Sequence, residues 1–265
     1  MSKRFGQNFL IDRRSRERIL EELEAENGER AWEIGPGIGA MTALALDSGL
    51  ELTVFEIDHG FSRLLSRLFG DRPGFRLVEG DFLDTWRGEL ERFGPPRRIF
   101  GNLPYNAASA FVASLLEGGL IPPRMIFTVQ KEGALRMTSK PGSKDYSAFT
   151  VLCASTCVTK LAFDLSSKSF WPAPRVTSSV VRMLPRKAPL EAEDRAPFSA
   201  FVRSLFASRR KTLRNNLRGI SDAELLRVLS DLGIRADVRA EALKPEELAA
   251  VYEGIKKLKI GAPRP

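Results

Sequence analysis

The sequence predicts an α/β protein with a doubly wound parallel sheet, followed by a small helical domain. Apolar strand patterns alternate with amphipathic helix patterns between residues 31 and 129, which is the rhythm of βαβ units. The first of these strands runs into Gly35, Gly37 and Gly39, as at the nucleotide-binding corner of such a sheet. Proline and charge replace the apolar periodicity near residues 185–193, so we predict domains at 1–185 and 186–265.

The apolar patterns place the elements of the first domain in order. Asp12 is the expected N-cap of a first helix over residues 13–24. Five strands are then predicted, with helices between them, at 31–34, 52–55, 75–78, 98–100 and 125–129. A helix near 146–155 precedes two late segments, 158–163 and 176–184, of which the valine-rich second predicts a closing strand. Between these segments, 169–174 is an aromatic-proline loop that two prolines stiffen.

The chain after residue 186 predicts helices only. Apolar residues from Phe198 to Phe206 recur at helical spacing and define one buried face. Ser221 and Glu224 form a capping-box pattern that opens a second helix, which Gly233 can close. A third helix begins at Pro245.

Composition indicates a polyanionic partner. The 265 residues carry a formal net charge of +8, and from residue 186 onward there are 17 Lys and Arg against 11 Asp and Glu. The tail therefore holds most of the basic excess, and Arg209, Arg210, Lys211, Arg214 and Arg218 form its densest group, for which we favour phosphate contacts over a merely solvated face.

Composition also argues against several classes. A single histidine, His59, argues against a histidine-based metal site or nucleophilic triad, so no metal is expected. Cys153 and Cys157 are expected to be small core residues. No run of about 18 apolar residues and no signal-peptide pattern is present, so we expect a cytoplasmic protein with no membrane partner, and a monomer.

Polar residues stand at four successive strand ends, where open α/β sheets bind ligands. The glycine spacing is G-x-G-x-G, one residue shorter than the dinucleotide fingerprint, which favours an adenosine-bearing ligand without a diphosphate. Glu56 follows the second strand, where a carboxylate can accept hydrogen bonds from two ribose hydroxyls. Asp81 and Asn102 end the third and fourth strands.

The tetrapeptide Asn102-Leu103-Pro104-Tyr105 predicts the chemistry. The exocyclic amine of adenine is a poor nucleophile, because its lone pair is delocalised into the ring. An Asn carboxamide oxygen and a carbonyl beside a proline are fixed acceptors that can localise and aim that lone pair. Tyr105 can stack on the base, so methyl transfer would need positioning for in-line attack rather than a strong general base.

These motifs resemble those of the ribosomal RNA adenine dimethyltransferases, which have a Rossmann-like methyltransferase sheet and use S-adenosylmethionine. The likeness extends over nearly the whole chain and is carried by F-G-Q-N-F-L-I-D (5–12), E-I-G-P-G-I-G-A-M-T (33–42), F-E-I-D (55–58), E-G-D-F-L-D (79–84), G-N-L-P-Y-N (101–106) and F-W-P-A-P-R-V-T-S-S-V (170–180). It is greatest to the bacterial branch that dimethylates two adjacent adenines near the 3′ end of 16S ribosomal RNA. The resemblance therefore implies the small ribosomal subunit, or an intermediate of its assembly, as the partner.

The resemblance also implies roles for individual residues. Asn8 and Leu10 would contact the cofactor, Gly35 and Gly37 its methionine part, Glu56 its ribose, and Asp81 with Phe82 its adenine. Asn102 would lie between cofactor and target, with Leu103 and Pro104 supplying carbonyls. Tyr105 and Phe170 would sandwich the flipped adenine, since chemistry on a base requires its extrusion from the stack.

Three alternatives stay open at this point. The related enzyme that methylates large-subunit RNA and gives antibiotic resistance shares the N-L-P-Y chemistry. A non-catalytic RNA- or DNA-binding factor on the same fold is a second alternative, although Asn102 and Glu56 are intact. A nicotinamide dehydrogenase is the third, and the glycine spacing disfavours it.

The N-terminal segment 5–12 could be mere packing or a lid across the ligand.

Overall fold

A computed structural model describes residues 8–187, 190–217 and 220–261, without the side chains of 259–261. The chain divides into two compact units. The first unit comprises the chain up to Leu115 together with Leu120–Leu135 and Val158–Pro185. The second comprises Leu116–Gly119, Arg136–Cys157 and the chain from Arg186 onward. The second unit thus takes in two segments that lie before the sequence boundary at residue 185.

The first unit is built on a seven-stranded sheet of order β4-β3-β2-β5-β6-β9-β7. The strands from β4 to β6 are parallel, and β9 is antiparallel to β6. The chain builds outward from β2 in one direction and then from β5 in the other, which confirms the doubly wound sheet and puts the topological switch point between β2 and β5. The strands of the first unit, with β7 starting one residue before it, are β1 (Phe9–Leu10), β2 (Arg30–Ile34), β3 (Glu51–Glu56), β4 (Phe75–Glu79), β5 (Arg98–Asn102), β6 (Arg124–Gln130), β7 (Cys157–Leu165), β8 (Phe170–Trp171) and β9 (Ser178–Pro185).

The helices of this part of the chain follow the strands as the βα pattern predicts. They are α1 (Arg13–Leu23), α2 (Ala40–Asp47), α3 (His59–Phe69), α4 (Phe82–Phe93), α5 (Ala108–Glu117) and α6 (Lys131–Thr138). The predicted N-cap of α1 is confirmed, since the Asp12 carboxylate accepts a hydrogen bond from the Ser15 N–H. Central strands such as β6 are buried on both faces, which explains why they appear in the sequence as continuous apolar runs.

Arg98, at the start of β5, holds the C-terminal end of α1. The Arg98 guanidinium donates to the carbonyls of Leu23 (2.9 Å) and Glu24 (2.7 Å), and it pairs with Glu29 (3.0 Å). Cations at a helix C-terminus oppose the partial negative charge there. Because α1 directly follows β1, this anchoring also limits where β1 can lie.

The second unit is mainly helical, and it also contains the first residue of β7 and an isolated antiparallel bridge between Thr212 and Arg239. Its helices are α7 (Ala148–Thr156), α8 (Ala192–Phe206), α9 (Leu213–Asn216), α10 (Asp222–Asp231) and α11 (Pro245–Gly261). Tyr146 belongs to its apolar core and donates its hydroxyl to the Leu243 carbonyl (2.8 Å). The predicted capping box of Ser221 and Glu224 is confirmed. None of the described helices is long and apolar enough to cross a membrane.

One element of the first unit has no counterpart in the sequence prediction. β1 and β8 form a separate two-stranded antiparallel ribbon, in which Phe9 is opposite Trp171 and Leu10 is opposite Phe170. The ribbon joins the N-terminal segment to the aromatic-proline loop.

Candidate cofactor and target-base site

The glycine turn after β2 requires glycine for two reasons. Gly35, Gly37 and Gly39 have φ of 67°, 57° and 78°, in the left-handed region that side chains disfavour. A Cβ on Gly37 would also lie 3.0 Å from the Phe9 ring. The turn therefore combines a tight bend with close packing under the N-terminal segment.

A cavity of about 270 Å³ opens at the carboxyl ends of β2, β3, β4 and β5. It brings together nearly all of the predicted site residues, namely Asn8, Leu10, Gly35, Gly37, Glu56, Asp81, Phe82, Asn102, Leu103, Pro104 and Tyr105. Phe170 is the one member of that predicted set that does not line it. The switch point of the sheet is where an open α/β fold is expected to bind its ligand.

Glu56 is a rigidly held carboxylate at the end of β3. Its Oε2 accepts from the Gly37 N–H (3.0 Å) and its Oε1 from the Asp58 N–H (2.9 Å), while only 3% of the residue is exposed. Burial raises the pKa of Glu56, and the two backbone hydrogen bonds oppose that rise. The carboxylate therefore also supports the glycine turn on which the cavity depends.

The end of β4 presents a carboxylate beside an aromatic wall. Asp81 is the N-cap of α4, and its Oδ1 accepts from the Leu83 N–H (2.9 Å). A carboxylate has two oxygens, so capping with one leaves an acceptor on the other. Phe82 lies edge-on to Phe55 (5.0 Å between ring centroids) and to Phe111 (5.6 Å).

Glu33, the second-to-last residue of β2, lines the cavity but is not among the site residues predicted from the sequence. It lines the cavity, is 1% exposed, and accepts a hydrogen bond from the Thr42 hydroxyl (2.7 Å). Burial raises the pKa of Glu33 to about 8; the Thr42 hydrogen bond opposes this rise and the nearby Glu56 charge adds to it. The available signal was an acidic residue within an otherwise apolar strand end.

Asn102 connects β5 to the N-terminal segment. Its Nδ2 donates to the Asn8 carbonyl (2.8 Å), so Asn8–Leu10 crosses the edge of the cavity. The Phe9 ring also packs edge-on against Phe61 (5.5 Å between centroids). The structure thus places residues 8–10 across the glycine turn, where packing of Phe9 and a hydrogen bond to Asn8 hold them; residues 5–7 of the predicted lid lie outside the described residues.

The residues after Asn102 are fixed by the backbone around them. The Leu103 N–H donates to the Thr128 carbonyl (3.0 Å). The Pro104 carbonyl accepts from the N–H groups of Ala107 (3.0 Å) and Ala108 (2.9 Å). The half-buried Tyr105 shares a hydrogen bond between its hydroxyl and that of Ser178, and burial raises the pKa of Tyr105.

Phe170 lies in the hydrophobic core rather than in the cavity. It is 2% exposed and packs with a cluster that includes Leu10, opposite it in the ribbon. The neighbouring Trp171 is 54% exposed. Stacking of Phe170 on a base would require its ring to move out of this cluster.

The basic residues of the tail are not equivalent. Arg209 is bonded to Glu241 and to two backbone carbonyls, and Arg214 is paired with Asp222. Arg210 and Lys211 are exposed. Arg218 lies outside the described residues.

The cysteines and acidic residues form no metal centre within the described ranges. Cys153 and Cys157 are free and buried, and burial raises the pKa of both thiols. No group of three or more His, Cys, Asp or Glu side chains among the described residues could hold a metal ion.

Solved structures identify the class. A dimethyladenosine transferase from Plasmodium falciparum superposes with a TM-score of 0.77 at 20% identity, covering 94% of this chain and 98% of that one. The 23S rRNA methyltransferase ErmE superposes with a TM-score of 0.68 at 25% identity, covering 94% of this chain and 100% of that one. The fold is that of the Rossmann-like methyltransferases.

Sequence relatives identify the family. The model of the family described as ribosomal RNA adenine dimethylase matches residues 1–257. A protein from Treponema denticola named ribosomal RNA small subunit methyltransferase A is 44% identical over 251 residues, covering 92% of this chain and 85% of the relative. Its namesake from Treponema pallidum (strain Nichols) is 40% identical over 265 residues, covering 97% and 92%. The chain belongs to the ribosomal RNA adenine dimethylase family.

Proposed function

We propose that the protein transfers methyl groups from S-adenosylmethionine to N6 of two adjacent adenines in a hairpin near the 3′ end of 16S ribosomal RNA. The products would be N6,N6-dimethyladenosines, made during assembly of the small ribosomal subunit. The observation that carries the proposal is the placement of Asn102-Leu103-Pro104-Tyr105 in one cavity with the carboxylates of Glu56 and Asp81. The names of the relatives favour the small subunit as the target.

The cavity fits S-adenosylmethionine by the chemistry of its lining. In this proposal Glu56 would accept hydrogen bonds from the ribose hydroxyls, and Asp81 with the Phe82 ring would hold the adenine, since all three residues line the cavity. The turn at Gly35 and Gly37 leaves room for the methionine part, since a Cβ on Gly35 would meet no atom nearer than 4.0 Å. When bound, this cofactor supplies an electrophilic methyl group.

The protein's own contribution to transfer is positioning. The Asn102 carboxamide oxygen and a carbonyl of the following residues accept hydrogen bonds from the adenine amine and so aim its lone pair at the methyl group. The Pro104 carbonyl is already engaged by two N–H groups, so we assign this role to the Leu103 carbonyl. Tyr105 stacks on the extruded base, and Phe170 completes the sandwich if its ring leaves the core cluster.

The basic surface of residues 186–265 supplies the RNA contacts in this proposal. Phosphate contacts set affinity and orientation, whereas the cavity selects the base. Arg210 and Lys211 are the exposed members of the predicted group. We further propose that the protein acts as a monomer in the cytoplasm, on an assembling subunit.

Similarity to ErmE favours one second candidate, methylation of large-subunit RNA. Small-subunit particles that lack the modification, large-subunit RNA and a no-RNA blank are incubated with the protein and methyl-labelled S-adenosylmethionine. The proposal expects label in the small-subunit RNA only. Label in large-subunit RNA alone would move the protein to the second candidate, and RNA binding without label would indicate a non-catalytic factor.

A further inference from the structure

We infer that two turns of the second unit, residues 140–144 and 208–211, form one phosphate-binding surface, and that Arg209 clamps these turns together instead of binding phosphate. The inference deepens the proposed function and rests on its RNA substrate. It divides the predicted basic group into residues that bind and one that positions.

Arg209 directs all three guanidinium nitrogens at its own protein. Nε donates to the Glu241 carboxylate (2.8 Å), Nη1 to the Lys144 carbonyl (2.7 Å) and Nη2 to the Ser143 carbonyl (3.3 Å). The Glu241 backbone carbonyl in turn accepts from the Gly142 N–H (2.7 Å). Glu241 therefore neutralises Arg209 and holds the first turn through a separate bond.

Each turn is also closed by local hydrogen bonds. The Ser143 N–H and hydroxyl both donate to the Lys140 carbonyl, at 3.2 and 2.8 Å. The Lys211 N–H donates to the Ser208 carbonyl (2.9 Å), which also accepts from the Asn216 side chain (3.2 Å). Preformed turns lose less conformational entropy when their side chains bind a ligand.

The clamped turns display four exposed cationic side chains. Lys140, Lys144, Arg210 and Lys211 are exposed, and within the described part of the chain no ion pair or side-chain hydrogen bond engages their charged groups. Other arginines of this unit are paired, for example Arg203 with Glu117. Asp145 is the only carboxylate in residues 139–146. Exposed cations on two turns that are bonded together suit the phosphate groups of an RNA backbone.

Glu241→Ala distinguishes a clamp from a purely electrostatic effect, because the two predict opposite changes in the affinity for RNA. Glu241→Ala deletes a negative charge, so charge alone predicts tighter RNA binding. The clamp predicts weaker binding, by about 3- to 10-fold, because the turns are no longer held together. Affinity for unmodified small-subunit ribosomal RNA, measured at 50–200 mM salt, decides between them, and tighter binding would overturn the inference.

Identical conservative changes at two adjacent arginines give a second test. Arg209→Lys keeps the charge but loses the planar fork, and it should weaken RNA binding to a similar extent as Glu241→Ala. Arg210→Lys keeps a phosphate-binding charge and should stay within about twofold of the parent. Equal effects at the two positions would contradict the assignment of Arg209 as a clamp. Trypsin cleavage after Lys144 should also be faster in Glu241→Ala and Arg209→Lys.

The contribution of the first turn is tested by the salt dependence. Lys140→Gln with Lys144→Gln should reduce the slope of log affinity against log salt by about two, since each lost phosphate contact removes about one. Arg227→Gln with Lys257→Gln, on α10 and α11, removes the same charge and should leave the slope unchanged. Equal slopes for the two pairs would remove residues 140–144 from the surface. Failure of the wild-type protein to methylate small-subunit RNA would instead count against the proposed function.

Discussion

Replacing Glu33 with glutamine should make the protein more stable, and increasingly so as the pH rises. Burial raises the pKa of Glu33 to about 8, against 4.5 for an unperturbed glutamate. Between these values the unfolded chain has released the proton and the folded protein keeps it, so the free energy of unfolding falls as the pH rises. Below about pH 4.5 the penalty is absent, and above about pH 8 it is complete.

The size of this stability penalty follows from how far the pH lies above the unperturbed pKa of the carboxyl group. At pH 7 the group is 2.5 pH units above its unperturbed pKa, and one unit corresponds to about 1.4 kcal/mol, so the penalty is about 3 kcal/mol. Glu33→Gln carries no titrating proton there, and its amide oxygen can still accept from the Thr42 hydroxyl. The variant should therefore differ little from the parent at pH 4.5 and exceed it by a few kcal/mol at pH 8.

Urea unfolding followed by tryptophan fluorescence reports on the right unit, because Trp32, Trp86 and Trp171 all belong to the first one. Unfolding curves of parent and variant are compared at pH 4.5, 6, 7 and 8. Glu91→Gln, which removes an exposed glutamate, serves as the control and should show no such trend. A stability difference between Glu33→Gln and the parent that is constant across this range would refute the buried, protonated carboxyl.

Four further substitutions test the site. Asn102→Asp keeps an acceptor but loses the donor to the Asn8 carbonyl, and it should lower the rate of methyl transfer by about 100-fold or more; a parent-like rate would contradict the role of Asn102. Glu56→Ala should raise the Kd for S-adenosylmethionine by about 10- to 100-fold in calorimetry, since a hydrogen bond to a charged group contributes about 1.5–3 kcal/mol. Phe170→Ala should cost about 3–5 kcal/mol of stability as a core truncation, whereas the half-buried Tyr105→Ala should cost less and lose transfer; equal stability losses would put the two rings in similar environments.

The sheet could be predicted because its strands and helices leave patterns within short stretches of sequence. Parallel strands covered on both faces leave apolar runs, and the helices between them leave 3.6-residue periodicity. The ribbon of Phe9–Leu10 with Phe170–Trp171 could not be predicted in this way. A two-residue strand is too short to show a periodic pattern, and its partner lies about 160 residues away. The contacts of the second unit also extend to residues before the predicted boundary at 185, for example where Tyr146 joins its core and bonds to the distant Leu243.

The site residues also fall into those that local sequence predicts and those that depend on distant contacts. Glu56, Asp81 and Asn102 lie at or just after strand ends, so the topology of the sheet brings them together. The burial of Glu33 against Thr42 and the engagement of Arg209 by Glu241 depend on contacts that no residue pattern indicates. Phe170 differs from both groups. A family motif predicted that it stacks on the base, whereas in the structure it packs in the hydrophobic core.

The most direct test of the account is the identity of the methylated nucleoside. Small-subunit RNA lacking the modification is treated with the protein and S-adenosylmethionine, digested to nucleosides and to short fragments, and analysed by mass spectrometry. We expect N6,N6-dimethyladenosine at two adjacent positions near the 3′ end, and almost none with Asn102→Asp. Methylation of another base, or of another atom of adenine, would contradict the assignment of the Asn102 site.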